Sequence, residues 1–307
     1  MSYDKDFSII IPHRNSLHFL PKLFSSIPKS DKIEIILVDN SIEKISEAEI
    51  RSIGVSHDFI LLYSNPSRGA GGARNIGIEN AQGKWLLFLD ADDFFADNAF
   101  KTFYKYINCD AELIYFGMGS VYEDSGEKAN RGENYNYLVK SFISNKIEEI
   151  QIRLKYSSPC SKMVSHSLVD RQKIRYDEVL ASNDEMFSLL TGYYAKKILA
   201  DTTEVYIATV SKGSLTRRKD FAVIQSRYKV GLRYNKFLRN HGLSKYQKSV
   251  MVYFYDIRNY GIKNILKFLL LAIKYRQNLL IGLPNWIDSL KRRKTINQYS
   301  VNSYVID

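Results

Sequence analysis

Four short apolar runs recur along the first ninety residues: Phe7–Ile11, Ile33–Val38, Phe59–Tyr63 and Trp85–Leu89. Runs of five or six β-branched, aromatic and leucine residues bounded by Pro, Asp or Gly read as strands buried on both faces. Helical patterns alternate with them. Leu17, Leu20, Leu23, Phe24 and Ile27 recur at helical spacing across 16–28. A polar helix is read around 43–53, and Ala73 to Asn80 reads as a helix after a glycine-rich turn at Gly69–Gly72. This alternation predicts an α/β fold, a mostly parallel sheet with helices on both faces. Ligands of such sheets bind at the carboxyl ends of the strands. Pro12, Asp39 and Asp90 stand at three such ends and are expected to converge on one cleft.

The fourth run is the most telling. Five apolar residues end in Asp90-Ala91-Asp92-Asp93, three carboxylates in four positions. Acids crowded at the end of a buried strand repel one another and lose solvation. A divalent cation relieves that cost, and Asp90 and Asp92 are hard oxygen ligands suited to magnesium or manganese shared with a phosphate. An isolated triplet of this kind reads equally as a strand running out into a solvated acidic turn.

Further on, Ala99–Ile107 reads as a helix and Ala111–Phe116 as a strand. Asp124-Ser125-Gly126 reads as a hairpin turn, residues 138–155 as helical, and 204–210 as a strand. Val179–Tyr194 contains a helical pattern opening at Asn183-Asp184-Glu185, and helices rich in Tyr, Lys and Arg follow 220. The charge divides the chain. Residues 213–307 carry 19 Lys and Arg against four Asp and Glu, whereas residues 1–212 carry 25 against 29. The net +11 thus belongs to the last third. Cys109 and Cys160 make neither a disulfide framework nor a zinc site and read as reduced packing residues. The first residues lack a signal-peptide layout and no apolar stretch is long enough to span a bilayer, so a cytoplasmic protein is expected.

Taken in order, these pieces resemble family 2 glycosyltransferases of the GT-A fold. The opening strand Ser8–Asn15, Val38-Asp39-Asn40, the stretch Ser67–Gly77 with Ala73-Arg74-Asn75, and Asp90-Ala91-Asp92-Asp93 carry the resemblance. So do Ser161-Lys162-Met163 through Phe187, and Gly213-Ser214-Leu215-Thr216. It covers about residues 7–217 and implies a GT-A domain over 1–217, with a helical, basic region over 218–307. The family implies a metal-dependent, inverting transfer from a nucleotide-sugar donor, a UDP-sugar, to a saccharide or lipid-linked acceptor in bacterial surface-polysaccharide assembly. Asp92, with Asp90, would hold Mn2+ or Mg2+ at the diphosphate. Asp39 would accept a hydrogen bond from the nucleobase, and Pro12, Arg14, Gly69 and Arg74 would line the donor. Asp184 would be the base that deprotonates the acceptor hydroxyl, with Glu185 as the fallback.

Each residue has a plainer role: Asp39 as a helix cap or turn residue, Arg74 as an exposed charge on a helix, Gly69–Gly72 as a flexible turn, Asp184 as a helix-start acid. Asn183 stands where the family has Glu, and Ser67 where it has Asn. Two other functions remain open. A sugar nucleotidyltransferase would share the fold but open with a Gly-x-Gly-Thr-Arg type loop, which Pro12-His13-Arg14-Asn15 is not. A nucleotide-sugar-binding scaffold that has lost catalysis is the other, with Asn183 as its hint. Gly69-Ala70-Gly71-Gly72 is no dinucleotide fingerprint, because Arg74 occupies the third glycine's place.

Residues 262–283 read as one helix. Lys263, Asn264, Lys267, Lys274, Gln277 and Asn278 share a side, Leu270 and Leu271 intrude on it, and the remainder is largely apolar. Trp286 and Lys291-Arg292-Arg293-Lys294 follow. Two readings stand level: an interfacial helix on an anionic membrane, on the inner face of the cytoplasmic membrane, or a helix packed on the first domain or on a second subunit of a homo-oligomer. No nucleic-acid module accompanies the charge, so no nucleic-acid partner is expected.

Overall fold

The computed structural model describes residues 3–211 and 220–281, and the chain divides into two compact units, 1–218 and 219–307. In the first unit the order is β1 (Lys5–His13), α1 (Leu20–Ser25), β2 (Ile33–Asp39), α2 (Glu47–Ser52), β3 (Ile60–Tyr63), α3 (Gly69–Asn80), β4 (Gly83–Phe88), β5 (Phe94–Phe95) and α4 (Ala99–Lys105). Then come β6 (Leu113–Tyr122), α5 (Glu133–Ile143), α6 (Glu149–Lys155), β7 (Lys162–Ser165), α7 (His166–Arg171), α8 (Glu185–Tyr194) and β8 (Ile198–Val210). One eight-stranded sheet runs β3-β2-β1-β4-β7-β6-β8-β5.

The continuous apolar runs have a direct physical cause. Phe7, Ile9 and Ile11 of β1 enter one core with α1 and α4 residues such as Leu23, Phe24 and Phe103. Ile10 points the other way, into a core with Ile78, Leu168, Val169 and Phe187. The run in β4 splits likewise, Trp85, Leu87 and Leu89 to the first core, Leu86 and Phe88 to the second. Because successive side chains alternate faces, a strand covered on both sides must be apolar throughout.

The sheet is parallel from β3 to β4, as the alternation predicts. Beyond β4 it is mixed, since β7 pairs antiparallel with both β4 and β6, and β5 antiparallel with β8. β7 follows two consecutive helices rather than a single crossover, so no parallel pairing is imposed on it. β1 runs through Pro12 to His13 instead of stopping there. Its pairing with β4 ends at Ile10, so the missing Pro12 N–H breaks no ladder.

Several expected boundaries move. The 43–53 helix is the shorter α2, whose Ser46 and Glu49 make a capping box. The strands at 111 and 204 extend to Leu113–Tyr122 and Ile198–Val210, and the 138–155 helix is two, α5 and α6. The Asp124–Gly126 turn closes a hairpin through the Tyr122 N to Glu127 O bond. The larger correction concerns Gly69–Gly72. It is the first turn of α3, not a flexible turn, and only Gly69 has a positive φ, 60°. A Cβ on Gly71 would lie 2.0 Å from the Asp177 carbonyl oxygen. That glycine lets the protein's own backbone approach the helix.

The second unit contains α9 (Phe221–Asn240), α10 (Met251–Ile257) and α11 (Ile262–Lys274). Ile224, Tyr228, Leu232, Val250, Ile257 and Phe268 form its core. No helix of the described residues is long and apolar enough to cross a membrane. α11 ends at Lys274 rather than 283. Gly213–Thr216, Trp286 and Lys291–Lys294 lie outside the described residues.

Candidate active site

The ends of β1, β2 and β4 lie side by side. His13 pairs with Asp39, and the Leu89 amide donates to Ile10 O at 3.1 Å, which sets Asp90 beside them. Asp39 is fully buried. Its Oδ1 accepts from Ser41 Oγ at 2.6 Å and Ser41 N at 3.2 Å and lies 2.9 Å from His13 Nδ1. Its Oδ2 accepts from Ile45 N at 3.3 Å. Burial alone would raise this carboxyl, but the bonds from Ser41 and His13 outweigh it and hold it below its ordinary value. Asp39 is therefore an oriented carboxylate that also holds the turn after β2 through the Ser41 amide, and it caps no helix. Pro12 is buried, while Arg14 beyond it is exposed.

Arg74 joins the two halves of the site. It is 5% exposed on α3, its Nη1 donates to Asn183 Oδ1 at 2.8 Å, and its Nη2 is ion-paired to Asp90 Oδ1. Burial alone would lower this guanidinium, but the negative groups around it, Asp90 foremost, outweigh that and raise it. Asn183 thus acquires a definite role as the acceptor for Arg74. The guanidinium also lies 5.2 Å from the centre of the Tyr176 ring, and Tyr176 stacks on Phe187 at 4.0 Å. The side chain of Asn75 bonds both backbone groups of Tyr176, and Arg68 pairs with Glu178. Arg74 and Asn75 of α3, with Arg68 just before it, therefore hold the segment that delivers Asp184 to the start of α8. Of these partners, Tyr176 and Glu178 escape sequence reading and Asn75 enters it only as part of a motif, because nothing local links residues a hundred positions apart.

The three acids after β4 separate. Asp93 is buried and accepts from Tyr206 Oη and, at 2.6 Å, from Thr209 N. Burial and the charges of Asp92 and Asp90 push its carboxyl well up. It ties the loop to β8 and is structural. Asp92 borders a recess lined by Phe19, Lys22, Phe94, Tyr122 and Glu123. Burial, then Asp90, raises its carboxyl too. The charge of Arg131, whose Nη1 donates to Thr209 O at 3.2 Å, acts on all three acids. Among the described residues no group of three His, Cys, Asp or Glu side chains is placed to hold a metal ion. With Asp93 committed inward and one oxygen of Asp90 paired to Arg74, Asp92 and the rest of Asp90 remain. Such a set suits a cation completed by substrate phosphates, as magnesium sites commonly are.

Burial, then Glu185, raises the Asp184 carboxyl, while Arg74 pulls it down. The net rise brings a carboxylate nearer the range in which it accepts a proton usefully. Cys160 is buried and its thiol is pushed up by burial, in keeping with a packing role. Behind Asp184 lies Lys162, which the sequence offers only as part of a motif. It is 2% exposed, donates to Tyr156 O at 2.8 Å, and sits against the Tyr115 and Tyr156 rings. Burial, against the opposing charges of Asp184 and Cys160, pulls its ammonium down to about 7 from 10.5. Between those values the folded chain holds fewer protons here than the unfolded one, so stability from this group rises with pH. Wild type should therefore gain stability relative to Lys162→Met between pH about 7 and about 9.5, measured by urea unfolding. A pH-independent difference would contradict the buried ammonium.

Residues 8–173 match the family model described as Glycosyl transferase family 2. The chain belongs to that family. It is 32% identical over 142 residues to the minor teichoic acid biosynthesis protein GgaA of Bacillus subtilis, covering 40% of this chain and 30% of that protein. It is 22% identical over 236 residues to WfaP of Escherichia coli, named a UDP-Glc:alpha-D-GlcNAc-diphosphoundecaprenol beta-1,3-glucosyltransferase, covering 73% and 81%. The chain spans between about a third and two thirds of the length of the curated relatives it matches first. Among solved structures, Staphylococcus aureus TarS 1–349 in complex with UDP-GlcNAc superposes with a TM-score of 0.61 at 20% identity, over 75% of this chain and 65% of that one. The fold is GT-A.

Proposed function

We propose that this protein is an inverting glycosyltransferase that moves a sugar from a UDP-sugar to a hydroxyl of a saccharide or lipid-linked acceptor in surface-polysaccharide assembly. The observation that carries the reading is Arg74, which spans Asp90 at the end of β4 and Asn183 beside Asp184. That bridge supports assigning the acids of the donor side and the candidate base to one site. The names of the relatives point the same way: TarS holds UDP-GlcNAc, WfaP uses UDP-Glc with a diphosphoundecaprenol-linked acceptor, and GgaA serves teichoic acid synthesis.

In this reading the buried, ionised Asp39 accepts from the nucleobase through Oδ2, which takes only the Ile45 amide among the described residues. Arg74 Nε is buried without a hydrogen-bond partner there and is a donor left for the nucleotide. Arg131 offsets charge on the diphosphate side. Manganese or magnesium held by Asp92 and Asp90 would neutralise the leaving diphosphate. Asp184 takes the acceptor hydroxyl's proton as the oxygen attacks the anomeric carbon. The carbon–oxygen bond to the diphosphate breaks on the opposite face, so the configuration inverts. Asn183, the one hint of the scaffold alternative, is the acceptor for Arg74.

A thermal-shift screen of nucleotide sugars with and without manganese, followed by assay of UDP release, tests the reading. At a hundred times its Kd a donor stabilises by about 2.7 kcal/mol, so a rise of a few degrees is expected with a UDP-sugar. Binding without UDP release under any condition would favour the scaffold.

A further inference from the structure

We propose that the exposed arc of α11 is a docking face for an anionic lipid surface. The proposal concerns the second unit alone and stands whether or not the assignment of the catalytic site is correct. α11 has three faces. One is buried: Phe268 and Ala272 are 0% and 1% exposed, packed with Tyr228, Leu232, Val250 and Ile257. The second carries Ile262, Leu266, Leu270 and Ile273, which are 67%, 52%, 66% and 71% exposed. Their spacing of four, four and three places them in one stripe, about 16 Å long at 1.5 Å per residue. The third is a row of exposed lysines. Lys263, Lys267 and Lys274 each follow a stripe residue directly, so all three stand on the same side of the stripe. No Asp or Glu occurs between Ile262 and Leu280.

The sequence alone leaves the apolar side of this helix undivided, to be either packed or membrane-bound. The tertiary structure splits it. The side facing α9 and α10 is consumed by the core, and a separate aliphatic stripe remains in solvent. Water solvates such a stripe poorly, and a lipid acyl boundary accepts it. The lysines add a charge of one sign along its edge, and their long stems can reach headgroup phosphates while the aliphatics enter below. Charge selects this occupant over a second copy of the chain. Antiparallel pairing of two such faces would bring the lysine rows together, with no acid in the helix to offset them. Residues 213–307 as a whole carry 19 Lys and Arg against four Asp and Glu, a composition that suits an anionic partner.

The test is co-sedimentation of the full chain with vesicles of about three parts phosphatidylcholine to one part phosphatidylglycerol, against phosphatidylcholine alone, at low salt. Wild type is expected in the pellet with the anionic vesicles only. Leu266→Ser/Leu270→Ser/Ile273→Ser should weaken binding at least about tenfold at low salt and remove what survives high salt. Lys263→Gln/Lys267→Gln/Lys274→Gln should weaken it about a hundredfold at low salt, from about fivefold per lysine. All six positions are exposed, so unchanged thermal melts confirm that both variants fold. Wild type staying in the supernatant, or equal binding by wild type and both variants, would overturn the proposal. So would a dimer in light scattering that the serine variant abolishes without any vesicle binding, which would assign the face to a second copy.

Discussion

Asp184→Asn is expected to bind a UDP-sugar as wild type does and to lose transfer by about a hundredfold or more, the usual scale for a positioned base. Donor affinity by calorimetry and transfer rate by UDP release separate the two effects. The substitution keeps the shape of the side chain, and Arg74 remains paired to Asp90 and Asn183, so the site should stay assembled. The pH dependence has a definite sign. Burial and Glu185 raise the Asp184 carboxyl above its ordinary value. The base form is therefore lost at a higher pH than for an exposed aspartate, and the acid limb of kcat/KM should be displaced upward accordingly. If Glu185→Gln is the inactive variant and Asp184→Asn is active, the roles of these neighbours are exchanged.

Asp92→Asn is expected to abolish the strengthening of UDP binding by manganese while leaving the fold intact. The fold should survive because Asp92 makes none of the anchoring bonds to β8. Those belong to Asp93, through Tyr206 and Thr209. Removing Asp92 also relieves repulsion, since burial and Asp90 hold its carboxyl above its ordinary value. Stability without metal should therefore hold or rise, while calorimetry of UDP with and without manganese loses its difference. Unchanged manganese-dependent affinity in the variant would remove Asp92 from the donor set. Asp93→Asn separates the neighbouring roles. It disturbs a buried acceptor of two bonds and should lower the melting temperature, as loss of satisfied buried polar groups does.

How much of this was legible in the chain can be judged residue by residue. Phe7–Ile11 and Trp85–Leu89 announced strands covered on both faces, because only such strands must be apolar at every position. Asp39, Asp90 and Asp92 announced the carboxyl ends of the sheet, because acids at the end of an apolar run require a reason. Spacing could not tell Asp92 from Asp93, since the difference lies in which carboxylate meets Tyr206 and Thr209 from β8. It could not see that Gly71 admits the Asp177 backbone, that Asn183 serves Arg74, or that Lys162 lies buried behind Asp184. The apolar side of α11 likewise read as undivided until its neighbours covered part of it. Local pattern by itself determined the elements of the first ninety residues and the parallel half of the sheet, since strand and helix periods are properties of the chain. The tertiary structure alone decided which of several equivalent polar groups became partners, because burial and hydrogen bonding between residues a hundred positions apart depend on where the folded chain brings them.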